Sequence, residues 1–244
     1  METLQIRQCA SHEDLRTCVR LQRQIWGFQD EDLTPAAIFV VAQHTGGHVL
    51  CAFDGDEPVG FTLAFSAEHA GLRYWHSHMA GVLPEYQNRG VGRLLKLRQR
   101  EEALQGGLSC IKWTFDPLEL RNAHFNLARL GGVVREYIPN CYGTRIGPMD
   151  LGLPTDRFVC EWWIDSGRVR RALQQAPTEP QGSVLTVPIP SNLSQLKQSD
   201  PARVRAIQAD LGKQMTELFS RNYSVTGFQR GTETSQYVLE RDEI

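Results

Sequence analysis

Two neighbouring features of the sequence carry the residue types of a reaction centre. His76 and His78 are separated by one residue within Tyr74 to Leu83, a run that reads as a strand. Side chains alternate along a strand, so both imidazoles point to the same face. An imidazole titrates near pH ~6.5 and suits proton removal near neutrality, directly or through water. Two hydrogen-bonded histidines at a crowded strand end would give the same pattern. Just downstream, Gln87-Asn88-Arg89-Gly90-Val91-Gly92-Arg93 forms a tight turn into a helix that reads from about Gly90 to Leu104, opening at the second glycine. The first-turn amides of a helix have no internal partners, and the aligned peptide dipoles place about half a positive charge there. Such an end binds phosphate, and glycine lets the phosphate approach the backbone. Arg89, Arg93 and Lys96 add positive charge nearby. A two-glycine turn also opens many helices that bind nothing.

Alternating strand and helix signals must position these residues. Leu4 to Cys9 alternates like a half-buried strand, and Ser11 with Asp14 opens a helix that ends near Gly27. Thr34-Pro35 starts a second short helix, closed by Gly46-Gly47. His48 to Phe53 and Val59 to Phe65 flank Asp54-Gly55-Asp56-Glu57-Pro58, the turn chemistry of an antiparallel hairpin. After the glycine turn come a strand at Cys110 to Phe115, a short helix at Asn122 to Leu130, and strands at Val133 to Ile138 and Phe158 to Ile164. The order β-α-α-β-β-β-α-β-α-β-β is α/β, a mixed sheet flanked by helices. A basic helix with Arg168, Arg170 and Arg171 follows, then a polar linker through Gln174 to Ser183, a helix near Ala202 to Phe219 and a strand at Ser235 to Leu239. The expected organisation is a core over 1–166, a helix and linker over 167–183, and an extension over 184–244. About 60 residues make a poor independent core, so the extension packs on the main sheet or serves as an oligomer arm, as in a homodimer.

Composition narrows the function. Of the 244 residues, 41% are hydrophobic and 22% charged, which supports a core and excludes whole-chain disorder. Lys+Arg 26 against Asp+Glu 28 leaves a charge of −2, so the expected partners include no nucleic acid. No apolar run approaches the ~20 residues of a membrane span, so no membrane partner is expected. The polar, acidic start Met1 to Gln5 is unlike a secretion signal, so the expected location is cytoplasmic. The six cysteines have no Cys-x-x-Cys spacing and read as reduced, mostly buried thiols, with no metal site. The five tryptophans are chiefly core residues, although Tyr74-Trp75 could line an acceptor pocket. Arg98, Arg100, Glu101 and Glu102 read as a solvated helix face. Arg168, Arg170 and Arg171 read as surface charges that could also meet a phosphate or an acidic acceptor.

Gln87-x-x-Gly90-x-Gly92, after a strand ending Val82-x-Pro84, resembles the acyl-CoA signature of the GNAT N-acetyltransferase superfamily. It lacks the third glycine of the dinucleotide fingerprint and the Gly-Lys-Ser/Thr of a phosphate-binding loop. The element order over about residues 4 to 165 is similar to the family core. The resemblance implies acetyl-CoA, or another acyl-CoA such as succinyl-CoA, as co-substrate. It also implies a pyrophosphate loop at Gln87, Asn88, Arg89, Gly90, Val91, Gly92 and Arg93, and a pantetheine-pairing strand at Ala80, Gly81 and Val82. In that strand Gly81 suits a bulge or a close backbone approach. His76 and His78 resemble the His-x-His pair of arylalkylamine N-acetyltransferases, which implies a base or proton relay centred on His78. Asn122 and Asn126 fall where the family binds the CoA arm, although an asparagine near a helix start also serves as an N-cap. One departure is Leu127, which stands where the family often has a tyrosine general acid; Asn126, Tyr137 and Tyr142 are the other candidates. The implied activity is acyl transfer to a small-molecule amine or amino-acid acceptor by direct attack in a ternary complex. The alternative is a CoA-binding module of the same fold with weakened turnover and a regulatory or assembly role.

Overall fold

The structure, a computed structural model, describes residues 4–143, 152–176 and 184–241. They fall into two compact units, one ending at Lys112 and one beginning at Trp113. Most of the expected linker, 177–183, lies outside the described residues.

The first unit runs β1 (Leu4–Gln8), α1 (His12–Trp26), a 3-10 turn (Asp30–Asp32), α2 (Ala36–His44), β2 (His48–Asp54), β3 (Glu57–His69), β4 (Leu72–Val82), a second 3-10 turn (Pro84–Tyr86), α3 (Val91–Gln105) and the start of β5 (Cys110–Phe115). Ser11 and Asp14 close a reciprocal capping box at the head of α1, and Gly27 ends the helix at φ 68. The box satisfies two otherwise orphaned donors, and glycine takes the left-handed conformation without a Cβ penalty. Strand order is β1-β2-β3-β4-β5, antiparallel except for the parallel pair β4–β5. Leu15, Cys18 and Leu21 of α1 and Phe39 of α2 join Val49, Leu50, Phe61 and Leu63 in one apolar cluster. Phe39 and Phe61 are fully buried, each worth about 1.5–3 kcal/mol of transfer free energy. Gln22 is also fully buried, but its amide donates to the Thr34 carbonyl at 3.0 Å and accepts from the Thr34 N–H at 2.8 Å. That exchange ties α1 to the approach of α2 and leaves neither polar group orphaned. The six cysteines are free thiols, five of them buried. Cys9 and Cys18, distant from any Cys-x-x-Cys spacing, bring their sulfurs to 3.7 Å.

The second unit completes β5 and continues with α4 (Leu120–Ala123), a π-helical turn (His124–Arg129), β6 (Val133–Ile138), β7 (Arg157–Trp163), α5 (Gly167–Leu173), β8 (Val184–Pro190), α6 (Leu193–Ser199), α7 (Pro201–Ser220), β9 (Tyr223–Gln229) and β10 (Thr234–Arg241). Its strands follow the order β7-β6-β9-β10-β8, and the pairs β7–β6, β6–β9, β9–β10 and β10–β8 are antiparallel. Phe158 is the centre of its core, with the rings of Phe115, Tyr137, Phe219 and Tyr237 between 5.4 and 6.2 Å away. Lys197 of α6 donates to Glu119 at 2.5 Å and Tyr237 of β10 to the Pro117 carbonyl at 2.5 Å, fastening the turn after β5.

Several expectations need correction. The helix read over Asn122 to Leu130 is a short α-turn that widens into π-helix; the extra residue per turn leaves no periodicity signal in so short a segment. Strand β9 and helix α6 were not anticipated. Arg168 is no free cation, because Glu240 takes it in two contacts of 2.8 and 3.0 Å and the Thr226 carbonyl accepts a third at 3.1 Å. Glu102 is nearly buried and receives both Arg98 and Gln8, so that helix face is not simply solvated.

Candidate active site

Strand β4 carries the histidine pair, and its register is broken there. Leu63 of β3 lies opposite Met79 and Ala64 opposite Ser77, which leaves His78 as an extra residue. A bulge of this kind re-aims side chains locally and shifts the alternation beyond it. The His78 ring is 5.7 Å from Phe65 and 6.1 Å from His76, so the two imidazoles are neighbours. Past the bulge Gly81 turns toward α1, whereas Ser77, also odd-numbered, faces α3. A Cβ at Gly81 would stand 2.8 Å from the Trp26 ring and 3.0 Å from Ile25. Close approach of α1 is therefore the reason for glycine here, and the bulge lies at His78 instead.

His76 is half-buried and His78 reaches solvent. Burial lowers the pKa of both rings; His78 and Lys96 lower His76 further, since a second cation nearby disfavours the imidazolium. Both rings are thus in the proton-accepting form at neutral pH. The parallel ladder to β5 consists of two pairs, Trp75↔Ile111 and His76↔Lys112, whereas β4 continues to Val82 along β3. Ala80, Gly81 and Val82 are in the stretch beyond that ladder. Trp75 is buried and donates its indole N–H to the Gly46 carbonyl at 2.8 Å, so it packs rather than lining an acceptor pocket.

After Val82 the chain makes its 3-10 turn and then the glycine turn. The Gln87 side chain donates back to the Val82 carbonyl at 3.1 Å, holding the turn against the strand end. Asn88 at φ 61 and Gly90 at φ 85 are left-handed, and Gly90 is the N-cap of α3 without any side-chain capping bond. The helix begins at Val91, between the two glycines expected to open it. Gly90 has a backbone reason to be glycine, while Gly92 has none among the described residues. Its φ is unexceptional, and a Cβ there would meet only Val82 Cγ2, at an ordinary 3.8 Å. The Arg89 guanidinium lies 5.3 Å from the Tyr86 ring centroid and is exposed, and Arg93 is on the first turn of α3. The site thus combines a cationic, uncapped helix start with unprotonated imidazoles on the strand leading into it.

In the second unit, Asn122 is exposed within α4 and is not its N-cap, which is Glu119. Asn126 is nearly buried in the π-helical turn, and its carbonyl accepts from Gly132 N–H at 2.9 Å. Leu127 is buried and aliphatic. Tyr137 is committed to Asp156 and packs on Gly212, with burial raising its pKa further. Tyr142 is exposed, its hydroxyl 2.8 Å from Thr114 Oγ1. Among the described residues, no group of three or more His, Cys, Asp or Glu could hold a metal ion, and no helix is long and apolar enough to cross a membrane.

Lys96, expected as a charge beside the phosphate turn, is instead 4% exposed within a buried group behind β4 whose other members the sequence reading did not single out. Ser77 Oγ accepts from Lys96 Nζ at 3.0 Å and from Gln99 Nε2 at 3.2 Å. Lys96 also donates to Gln99 Oε1 at 2.9 Å, and Gln99 Nε2 lies 2.8 Å from His48 Nε2. The available signal was the three-residue spacing of Lys96 and Gln99 on one face of α3.

Residues 12–131 match the model of the acetyltransferase (GNAT) family. No curated protein matches the sequence. Among solved structures, the ribosomal-protein-S18-alanine N-acetyltransferase of Escherichia coli is 15% identical, with a TM-score of 0.55 over 68% of this chain and 96% of that one. The protein yncA of Salmonella typhimurium, solved with its cofactor acetyl-CoA, is 17% identical with a TM-score of 0.53, covering 67% and 95%. An acetyltransferase of the GNAT family from Streptococcus pneumoniae is 18% identical with a TM-score of 0.52, covering 65% and 98%. At these identities the likeness is one of fold.

Proposed function

We propose that this chain, which carries an acetyltransferase (GNAT) family domain over residues 12–131, transfers an acyl group from acyl-CoA to the amine of a small molecule or amino acid. Gly92 is the observation that carries the reading. Glycine within a helix is disfavoured relative to alanine, by less in the first turn than in the interior, and here neither φ nor packing demands it. A ligand pressed against the first turn of α3 supplies the missing reason, and a diphosphate suits the uncapped amides and the nearby Arg89 and Arg93. Acetyl is the default acyl group; succinyl and others remain within the same chemistry.

In this reading Gln87 to Arg93 grip the diphosphate, Gln87 by shaping the turn and the glycines by yielding space. The backbone of Ala80, Gly81 and Val82 aligns the pantetheine arm, and a backbone N–H directed at the thioester oxygen contributes about 3 kcal/mol to its polarisation. His78, with His76 behind it, takes the proton from the acceptor's ammonium, and the free amine attacks the thioester carbonyl directly. Leu127 offers no proton; as the C–S bond breaks, the thiolate leaves as the anion or takes the proton that the attacking nitrogen sheds in becoming an amide.

The buried leucine at 127 favours a second reading, a CoA-binding module with little turnover. Thiol release from a panel of acyl-CoAs with mixed amines, read beside the ligand-induced thermal shift, separates the two. Release above the uncatalysed rate supports the enzyme; a thermal shift with no release across the panel supports the module.

A further inference from the structure

The buried cluster behind β4 is too well connected to be packing alone. Ser77 immediately precedes the bulged residue His78, and its hydroxyl is fixed from the opposite side of the sheet by both Lys96 and Gln99. Lys96 is only 4% exposed although it is a lysine on a helix surface, and Gln99 is fully buried. Gln99 is in turn anchored on His48, whose ring packs at a tilt against Trp75 with centroids 4.4 Å apart, and Trp75 donates to the Gly46 carbonyl. Ser77 and Trp75 flank His76 on the strand, so both residues that bracket that imidazole are held by this cluster. Pinning β4 on its far face helps to hold its register at the bulge, because a one-residue slip would turn the flanking side chains to the other face.

We infer that Lys96 is a positioning residue for the His76–His78 pair, holding Ser77 so that the bulge presents both imidazoles side by side and placing a cation behind them. The inference rests on the reading of that pair as the proton acceptor. The direction of the His76 shift agrees, since Lys96 is among the groups that lower its pKa. Among the described residues, the charges that act on His76 are His78 on its own strand and Lys96 from α3; Lys112 is its register partner on β5 and Phe65 its partner on β3.

Lys96→Met keeps the length and the apolar stem while removing the ammonium, and Ser77→Ala removes the pinned hydroxyl but leaves the charge. The full chain is used for each. In Lys96→Met, turnover with saturating acyl-CoA should fall by about 10- to 100-fold, the cost of slight misplacement of a reacting group. CoA affinity by calorimetry should stay within about twofold of the parent. The imidazole resonances of His76, followed by NMR titration without any substrate, should titrate at higher pH, because loss of a neighbouring cation favours the imidazolium. Ser77→Ala should lower turnover while leaving the His76 titration near that of the parent. An unchanged His76 titration and unchanged turnover in Lys96→Met would overturn the inference. Should His76→Ala and His78→Ala retain full turnover, the base reading itself fails; loss in those variants but not in Lys96→Met refutes only the role of Lys96.

Discussion

Gly90 and Gly92 stand two residues apart in one turn, yet their replacement by alanine should move stability in opposite directions. Gly90 is held at φ 85, where a Cβ crowds the following carbonyl, so Gly90→Ala should cost about 1–2 kcal/mol despite the open space around it. At Gly92 the conformation is ordinary and the added methyl meets only Val82 at 3.8 Å. Gly92→Ala should therefore gain about 0.5 kcal/mol, partly by restricting the unfolded chain. In a protein of this size that raises Tm by about 1–2 °C. The same methyl occupies the space assigned to the diphosphate. Losing one charge-assisted hydrogen bond there, about 1.5–3 kcal/mol, weakens CoA binding roughly 10- to 150-fold. Differential scanning calorimetry without ligand and titration calorimetry with CoA measure the two effects on the same sample. A Gly92→Ala protein that is more stable and binds CoA as tightly as the parent would refute the argument, because the glycine would then serve neither the chain nor the ligand.

Three further outcomes follow from the geometry. His78→Ala should lower turnover by about 10²–10⁴-fold with CoA affinity preserved, as expected for removal of a general base; steady-state rates beside calorimetry check it. The acid limb of the pH–rate profile should lie below the ordinary histidine pKa, since burial lowers both His76 and His78. His48 is buried and its pKa is pushed down to about 3, while in the unfolded chain it titrates near ~6.5, so the unfolded state binds the extra proton first. Its contribution is present above pH ~6.5 and declines as pH falls toward 3, amounting to about 3 kcal/mol lost by pH 4. Urea unfolding of the parent and of His48→Leu between pH 7 and 4 should show the shallower decline in the variant.

The elements legible in the sequence are those whose ends are written locally. Ser11, Asp14 and Gly27 mark α1 within one turn of each boundary, and the Asp54-Gly55 turn marks the β2–β3 hairpin. The pairing of His76 with His78 was legible for the same reason, as a matter of strand period. The bulge was not, because it exists only in the register of β4 against Leu63 and Ala64 of β3. Strand β9 was hidden for a related reason: Ser224, Thr226 and Gly227 weaken its apolar pattern, and its burial depends on β6 and β10, which are remote in sequence. Lys96 read only as a charge beside the glycine turn and Gln99 was not singled out, because their partner Ser77 is on the far face of β4, remote in sequence.

The antiparallel pairing of β9 with β6 bears on how the protein should be produced. The family match ends at residue 131, which tempts one to trim the chain soon after β7. Such a cut would strip β6 of its neighbour at Val134 and take from Phe158 the aromatic rings of Phe219 and Tyr237. A bare strand edge beside an uncovered phenylalanine is a template for intermolecular association. The shortened polypeptide should accumulate as insoluble material, whereas the 244-residue chain should remain in the supernatant on centrifugation.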